Sequence, residues 1–234
     1  MSTQYSIIGS AVLHGRQLVS NGIPVYRDHS VADFDVFAKG AYREMDLNYL
    51  KFFKMDHLCK QGFLTAEAVM RNLSGIEVPA SERIAIGIGG AWASLETDQR
   101  FYASYEEAPE HIPSPGVFVY TLPNILIGEL CIRHRFTGEH ASFILEPTQL
   151  ESLYLYAGNL LETGLAEACL VGWNDAYDDL NHCVLAWVAR ASESSHYQPF
   201  TEDWHTVICR MNGLGEEAAG DDRLSRSKTE QRKT

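Results

Sequence analysis

Hydrophobic and polar positions change period several times along the chain. Residues 5–13 (YSIIGSAVL) are an apolar run that predicts an opening strand. Residues 15–45 mix Gly, Asp and Ser with scattered apolar positions and predict loop with short elements. Between 47 and 72 the period becomes helical, with Leu50, Phe53, His57, Leu58, Phe63, Leu64, Ala66, Val69 and Met70 recurring at intervals of three and four. Residues 83–89 (RIAIGIG) form a short apolar run ending in glycine, as a strand buried on both faces does. A polar helix is predicted over 95–108, and an apolar helical face broken by Pro123 over 117–135. Residues 141–145, 168–173 and 182–190 predict further strands. Residues 149–163 predict an amphipathic helix with Leu150, Leu153, Tyr154, Ala157, Leu160 and Leu161 on one side.

Strands alternating with helices imply an α/β layer architecture. After about Met211 the apolar residues give out, and a disordered polar tail is expected over 211–234, leaving 1–210 as the folded domain. A length of 234 residues with 45% hydrophobic content is enough for one real core. The formal net charge of -12 argues against nucleic acid and anionic membrane surfaces as partners. Five cysteines, an odd number without a CxxC pair, argue against a disulfide framework or a zinc knuckle. The opening residues lack the features of a signal peptide and no apolar run reaches membrane-spanning length, so a cytoplasmic location is expected.

Candidate chemistry is sparse. Cys131, His134 and His140 are close in sequence, and the C-x-x-H spacing can put two ligands on one helical face. The local set stops at three, so the expected reading is a buried cysteine with two surface histidines, with no metal and no cofactor. Gly87, Gly89 and Gly90 lack the Lys and Ser/Thr of a phosphate loop and predict a tight turn with close backbone approach. Trp173, Trp187 and Trp204 are expected in core and interface. Ser94 sits in no G-x-S-x-G elbow, which leaves a hydrolase triad without an anchor.

Five stretches, in order, carry a resemblance: YSIIGSAVLHG, KMDHLCKQGFLTAEAVM (54–70), RIAIGIGGAWASLETD (83–98), SPGVFVYTLPNILIGELCIRHRFTG (114–138) and ASFILEPTQLESLYLYAGNLLETGLAEACLVGWND (141–175). Together they resemble the N-terminal half of β-ketoacyl synthases over about residues 5–190. The resemblance implies a thiolase-like α/β fold, a single N-terminal-type half with a mixed sheet flanked by helices. It also places the family's nucleophilic cysteine near Pro147, within Leu145-Glu146-Pro147-Thr148-Gln149, where this chain has no cysteine. The vacated position is therefore Glu146, Pro147 and Thr148, and no catalytic residue is assigned. The family's two catalytic histidines belong to a C-terminal half that this chain is expected to lack.

What the resemblance then implies is a non-condensing ketosynthase-like accessory subunit of fatty-acid, polyketide or aryl-polyene-type biosynthesis. The alternative is an acyl-thioester decarboxylase or hydrolase using the vacated pocket, with Glu146 as general base. In one half of the fold, the stripe Leu150, Leu153, Tyr154, Ala157, Leu160 and Leu161 is expected to lack its neighbour and to form an interface. The partner would be a ketosynthase or a second copy. Acyl carrier protein is a further candidate, for which Arg133 and Arg135 are the local cations.

Overall fold

The computed structural model describes residues 5–107, 114–190 and 197–214. The strands are β1 (Ser6–His14), β2 (Gln17–Ser20), β3 (Ile23–Arg27), β4 (Ile84–Gly90), β5 (His140–Ile144), β6 (Ala168–Tyr177), β7 (Leu180–Ala189) and β8 (Gln198–Pro199). The helices are α1 (Phe34–Glu44), α2 (His57–Arg71), α3 (Leu95–Glu107), α4 (Pro115–Phe118), α5 (Ile125–His134), α6 (Glu151–Glu162) and α7 (Trp204–Met211). Among the described residues the strands form one mixed sheet in the order β3-β2-β1-β7-β6-β4-β5, with β8 paired to the start of β1. β5, β4 and β6 run parallel, whereas β7 is antiparallel to both β6 and β1.

Alternation along the strands sends side chains to two separate cores. Ile84, Ile86 and Ile88, with Leu170, Leu185 and Trp187, pack under α1, α2 and α5. Val171, Trp173, Val184, Ala186 and Val188 pack under α6 and α7. The result is a three-layer α/β/α arrangement, which buries the central strands on both faces and explains their nearly continuous apolar runs.

β4 shows how the second layer is seated. Its sequence Ile-Ala-Ile-Gly-Ile-Gly-Gly puts isoleucines toward α2 and only small residues toward α6. A Cβ on Gly87 would lie 2.7 Å from the Tyr156 ring, and one on Gly89 would lie 3.1 Å from Leu153. The two glycines thus let α6 approach the strand; they lie within β4, not in the tight turn expected from sequence. Gly90 is a close backbone approach, since a Cβ there would sit 2.4 Å from the Asn174 carbonyl oxygen.

This seating buries most of the stripe expected to form an interface. Leu153, Ala157, Leu160 and Leu161 are buried against the chain's own sheet, together with Val171, Trp173 and Ile208. Leu150 and Tyr154 are partly buried on the same core, and the Tyr154 ring lies 5.1 Å from Phe200. The Tyr5 hydroxyl donates to the Leu161 carbonyl at 2.8 Å, closing the far end of α6. The stripe is satisfied internally because the small-residue face of β4 and the segment 197–211 cover it.

Other differences are local. Residues 15–45 hold the β2–β3 hairpin and all of α1. The hairpin turns on Asn21 and Gly22, both with positive φ, the pairing that suits the strand twist. The helix predicted from 47 is a short helical turn over Leu50–Lys54, then α2, whose first turn Asp56 caps by accepting from the Cys59 N–H at 2.9 Å. Pro123 breaks 117–135 into α4, a turn and α5, as expected. The folded region runs past 211: Asn212 is buried, and its Oδ1 accepts from the Gly22 N–H at 3.0 Å. The rest of the predicted tail, 215–234, lies outside the described residues.

Overpacking a seated helix costs about 1–3 kcal/mol. Gly87→Val should therefore destabilise by that amount in urea denaturation. Gly128→Ala, in α5 with open space at its Cβ, should be neutral or stabilise by up to about 1 kcal/mol.

Candidate functional site

In α/β sheets, ligands sit beyond the carboxyl ends of the parallel strands. Here those ends are the Gly90–Trp92 segment after β4, the Leu145–Leu150 loop after β5, and Asn174–Asp175 on β6. Asp175 organises them. Its fully buried carboxylate accepts from the Ala91 N–H at 2.8 Å, the Trp92 N–H at 3.0 Å and the Trp173 indole N–H at 2.9 Å. Trp92, held this way, stacks on Tyr177 with ring centroids 4.7 Å apart. From the opposite layer, Gln61 of α2 donates to Asn174 Oδ1 at 2.8 Å and to the Asp175 carbonyl at 2.7 Å. Asn174 in turn donates to the Leu58 carbonyl at 3.1 Å. Nearby, Asp56 accepts from the Thr97 hydroxyl at 2.6 Å, and burial pushes its carboxyl above the ordinary range. Ser94 donates to the Thr121 carbonyl at 2.8 Å and to Asp98 at 3.1 Å, so it fastens α3 to the segment after α4.

The loop after β5 is a helix-starting device. Leu145 N–H donates to the Gly90 carbonyl at 3.1 Å, extending the β4 pairing by one residue. Glu146 is the cap: its side chain accepts from the Gln149 N–H, and Gln149 Oε1 accepts from the Glu146 N–H at 2.8 Å. This reciprocal pair is a capping box, with Pro147 at the first helical position. Glu146 and Thr148 are exposed and Pro147 is half-buried. Glu146 is thus a solvent-facing capping side chain. A cavity at this end of the sheet, lined by Gly89, Gly90, Pro123, Leu126, Ser142 and Phe143 among others but by no residue of 145–150, measures about 20 Å³. Such a space takes about one water, not an acyl chain.

The cysteines lie elsewhere, Cys59 on α2, Cys131 on α5, Cys169 on β6, Cys183 on β7 and Cys209 on α7. Burial pushes the Cys169 and Cys183 thiols up to about 12, far from thiolate character at neutral pH. Cys131, His134 and His140 do not converge. His134 pairs with Glu67 at 3.0 Å and stacks on Phe136, while His140 is exposed on β5. A different set, His182, His205 and Cys209, does converge, on the other face of the sheet. Sequence reading missed it because His182 belongs to β7 and the other two to α7; only the His205–Cys209 spacing of four was visible.

Trp173 and Trp204 occupy one core and Trp187 the other, so they line no common pocket. Arg133 is bound to Glu67 at 3.0 and 3.3 Å and lies over the Tyr49 ring, which removes it as a docking cation; Arg135 is exposed. A larger cavity of about 700 Å³ opens at the opposite end of the sheet, near Tyr5, Ile76, Leu161 and Tyr197, with the Arg83–Glu167 ion pair among its lining. Among the described residues no single helix is long and apolar enough to cross a membrane. Pro115–Thr121 and Ile125–His134 reach the length together but bend by 99°, and Leu126, Ile127 and Leu130 of that pair are core residues.

No family model and no curated protein matches this sequence. Solved structures do. The ishigamide ketosynthase/chain length factor aligns with a TM-score of 0.59 at 16% identity, over 84% of this chain and 64% of that one. A type II polyketide synthase, AntDE:AntF, in which the acyl-carrier protein is in complex with its ketosynthase bound to the hexaketide, aligns at 0.55 and 13% identity, over 81% and 63%. The ketosynthase ApeO in complex with its chain length factor ApeC, from Xenorhabdus doucetiae, aligns at 0.52 and 13% identity, over 71% and 74%. The chain thus spans slightly under two thirds of the first two. The fold is the thiolase-like one of ketosynthases and chain length factors, a mixed sheet flanked by helices.

Removing the Asp175 charge leaves three buried N–H donors facing an amide that can satisfy only part of them. Asp175→Asn should cost about 2–3 kcal/mol in equilibrium unfolding, and the stacked Trp92–Tyr177 pair should lose its near-ultraviolet circular dichroism.

Proposed function

We propose that this chain is a non-condensing, ketosynthase-like subunit that pairs with a condensing ketosynthase in the cytoplasm. Its role is of the chain-length-factor kind, within polyketide, fatty-acid or aryl-polyene-type assembly. The observation that carries the reading is the loop after β5. Condensation needs a thiolate to take the acyl group and donors to stabilise the developing charge. Where the resemblance puts that thiolate, this chain has a capping box and a proline without an N–H. The same commitment of Glu146 to a helix cap weighs against the decarboxylase or hydrolase reading.

With the α6 stripe buried, β5 is the natural place for a partner. Among the described residues it is the edge strand of the sheet, and a sheet edge offers unpaired N–H and C=O groups to another chain. Ile144 on it is 67% exposed. Leu122 and Val119, in the segment that adjoins β5 through the Ser142–Pro123 hydrogen bond, and Phe118 just before them, are also exposed. A hydrophobic edge of this kind suits a second sheet better than solvent. Carrier protein is assigned to the partner's surface, since this chain has a net charge of -12 and its Arg133 is occupied.

The test is acyl-product output from a ketosynthase of the same source co-produced with variants of this chain. Glu146→Ala should leave yield and chain length unchanged. Ile144→Lys, in a chain of unaltered melting temperature, should weaken pairing roughly tenfold or more, because a charge is desolvated at the contact, and output should fall with it. Loss of product with Glu146→Ala and its retention with Ile144→Lys would overturn the reading in favour of chemistry at the loop.

A further inference from the structure

α7 turns Trp204, His205, Ile208 and Cys209 into the core beneath it, and β7 places His182 under that face. His205 and Cys209 are one helical turn apart, the spacing that lets two side chains grip one ion. All three residues are buried, and one ring nitrogen from each histidine and the Cys209 Sγ lie within 4.8 Å of one another. The surroundings are otherwise apolar, with Trp173, Val184 and Ile208 in the same core. Three donors of this type have no packing reason to meet there.

The three side chains meet through both ring nitrogens of His205, with Nε2 facing His182 and Nδ1 facing Cys209. His182 Nε2 and His205 Nε2 are 3.3 Å apart, and Cys209 Sγ is 4.0 Å from His205 Nδ1. The first is longer than an ordinary hydrogen bond between nitrogens. It matches the edge of a tetrahedron, about 3.3–3.4 Å, around a zinc ion with bonds of about 2.0–2.1 Å. The second nitrogen of His182, Nδ1, lies 3.2 Å from His14 Nδ1. A partner on the outer nitrogen is what fixes the tautomer of a metal-binding histidine.

We propose that His182, His205 and Cys209 form a binding site for a borderline divalent ion of the zinc type, with His14 positioning His182, and that the ion fastens α7 to the sheet. Two imidazoles and one thiolate suit such an ion better than a hard, oxygen-seeking one. Binding exchanges the Cys209 thiol proton, which leaves to solvent, for an Sγ–metal bond; no electron is transferred. Three protein ligands leave a fourth position for a water oxygen. The Trp204 indole N–H, buried and without a partner among the described residues, supplies a hydrogen-bond donor in the same layer.

The test uses the full, tag-free chain, stripped with chelator and titrated with Co²⁺ and Zn²⁺. Expected are one equivalent of Co²⁺ with a thiolate-to-cobalt charge-transfer band, displaced by Zn²⁺. The band should vanish in Cys209→Ser and persist in Cys169→Ser, a cysteine of the same layer outside the cluster. If Cys209→Ser does not fold, alkylation of the wild-type chain decides: Zn²⁺ should slow modification of Cys209 relative to Cys131. A folded wild-type chain that takes up neither ion, a band that survives Cys209→Ser, or alkylation indifferent to Zn²⁺ would overturn the proposal.

Discussion

The rest of the structure depends on one close approach: α6 lying on the small-residue face of β4. Gly87 and Gly89 leave room there that any side chain would fill, and Tyr156 and Leu153 occupy it. With the helix that near, the connection from β5 has few residues in which to turn, and Leu145–Leu150 does so as a capping box. The same approach buries Leu153, Ala157, Leu160 and Leu161, each a gain of roughly 1.5–3 kcal/mol for a leucine. Those gains go to the chain's own core. On the proposed reading, the surface for a partner is the sheet edge, where Ile144 is exposed.

The polar network at the strand ends serves the same rigidity. Asp175 gives up its carboxylate to backbone N–H groups of Ala91 and Trp92, and Asn174 and Gln61 tie β6 to α2. Buried networks of this kind are worth most when fully satisfied; here Gln61 Oε1 is buried without a hydrogen-bond partner among the described residues, and the other contacts hold the backbone.

Much of the fold was legible because its strands are buried on both faces. β4, β6 and β7 stand out as apolar runs, and the ordered resemblance supplied their arrangement. α1 was hidden although Phe34, Phe37, Ala38, Ala41 and Tyr42 keep helical spacing, because Gly40 and the flanking aspartates read as loop. Gly40 is there for Tyr26, whose hydroxyl would lie 2.2 Å from an added Cβ. α7 was too short for its period to register, and with it went the His205–Cys209 pair. The helix-starting role of Glu146 and Pro147 could be read directly, since a cap is local in sequence. Asp175 could not: apart from the Trp173 indole, its partners are backbone N–H groups more than eighty residues away, and no side-chain pattern encodes them. The buried α6 stripe was read as an interface because a helical period shows that one face is apolar but not what covers it.

The central claim is that this chain functions through a partner. The most direct measurement is mass by light scattering on the purified chain, alone and mixed with a ketosynthase from the same source. The account predicts a one-to-one complex that forms only on mixing and leaves the ketosynthase's own cysteine reactive toward acyl thioester. A chain that stays monomeric in the mixture, or that turns over acyl thioester by itself, would contradict it.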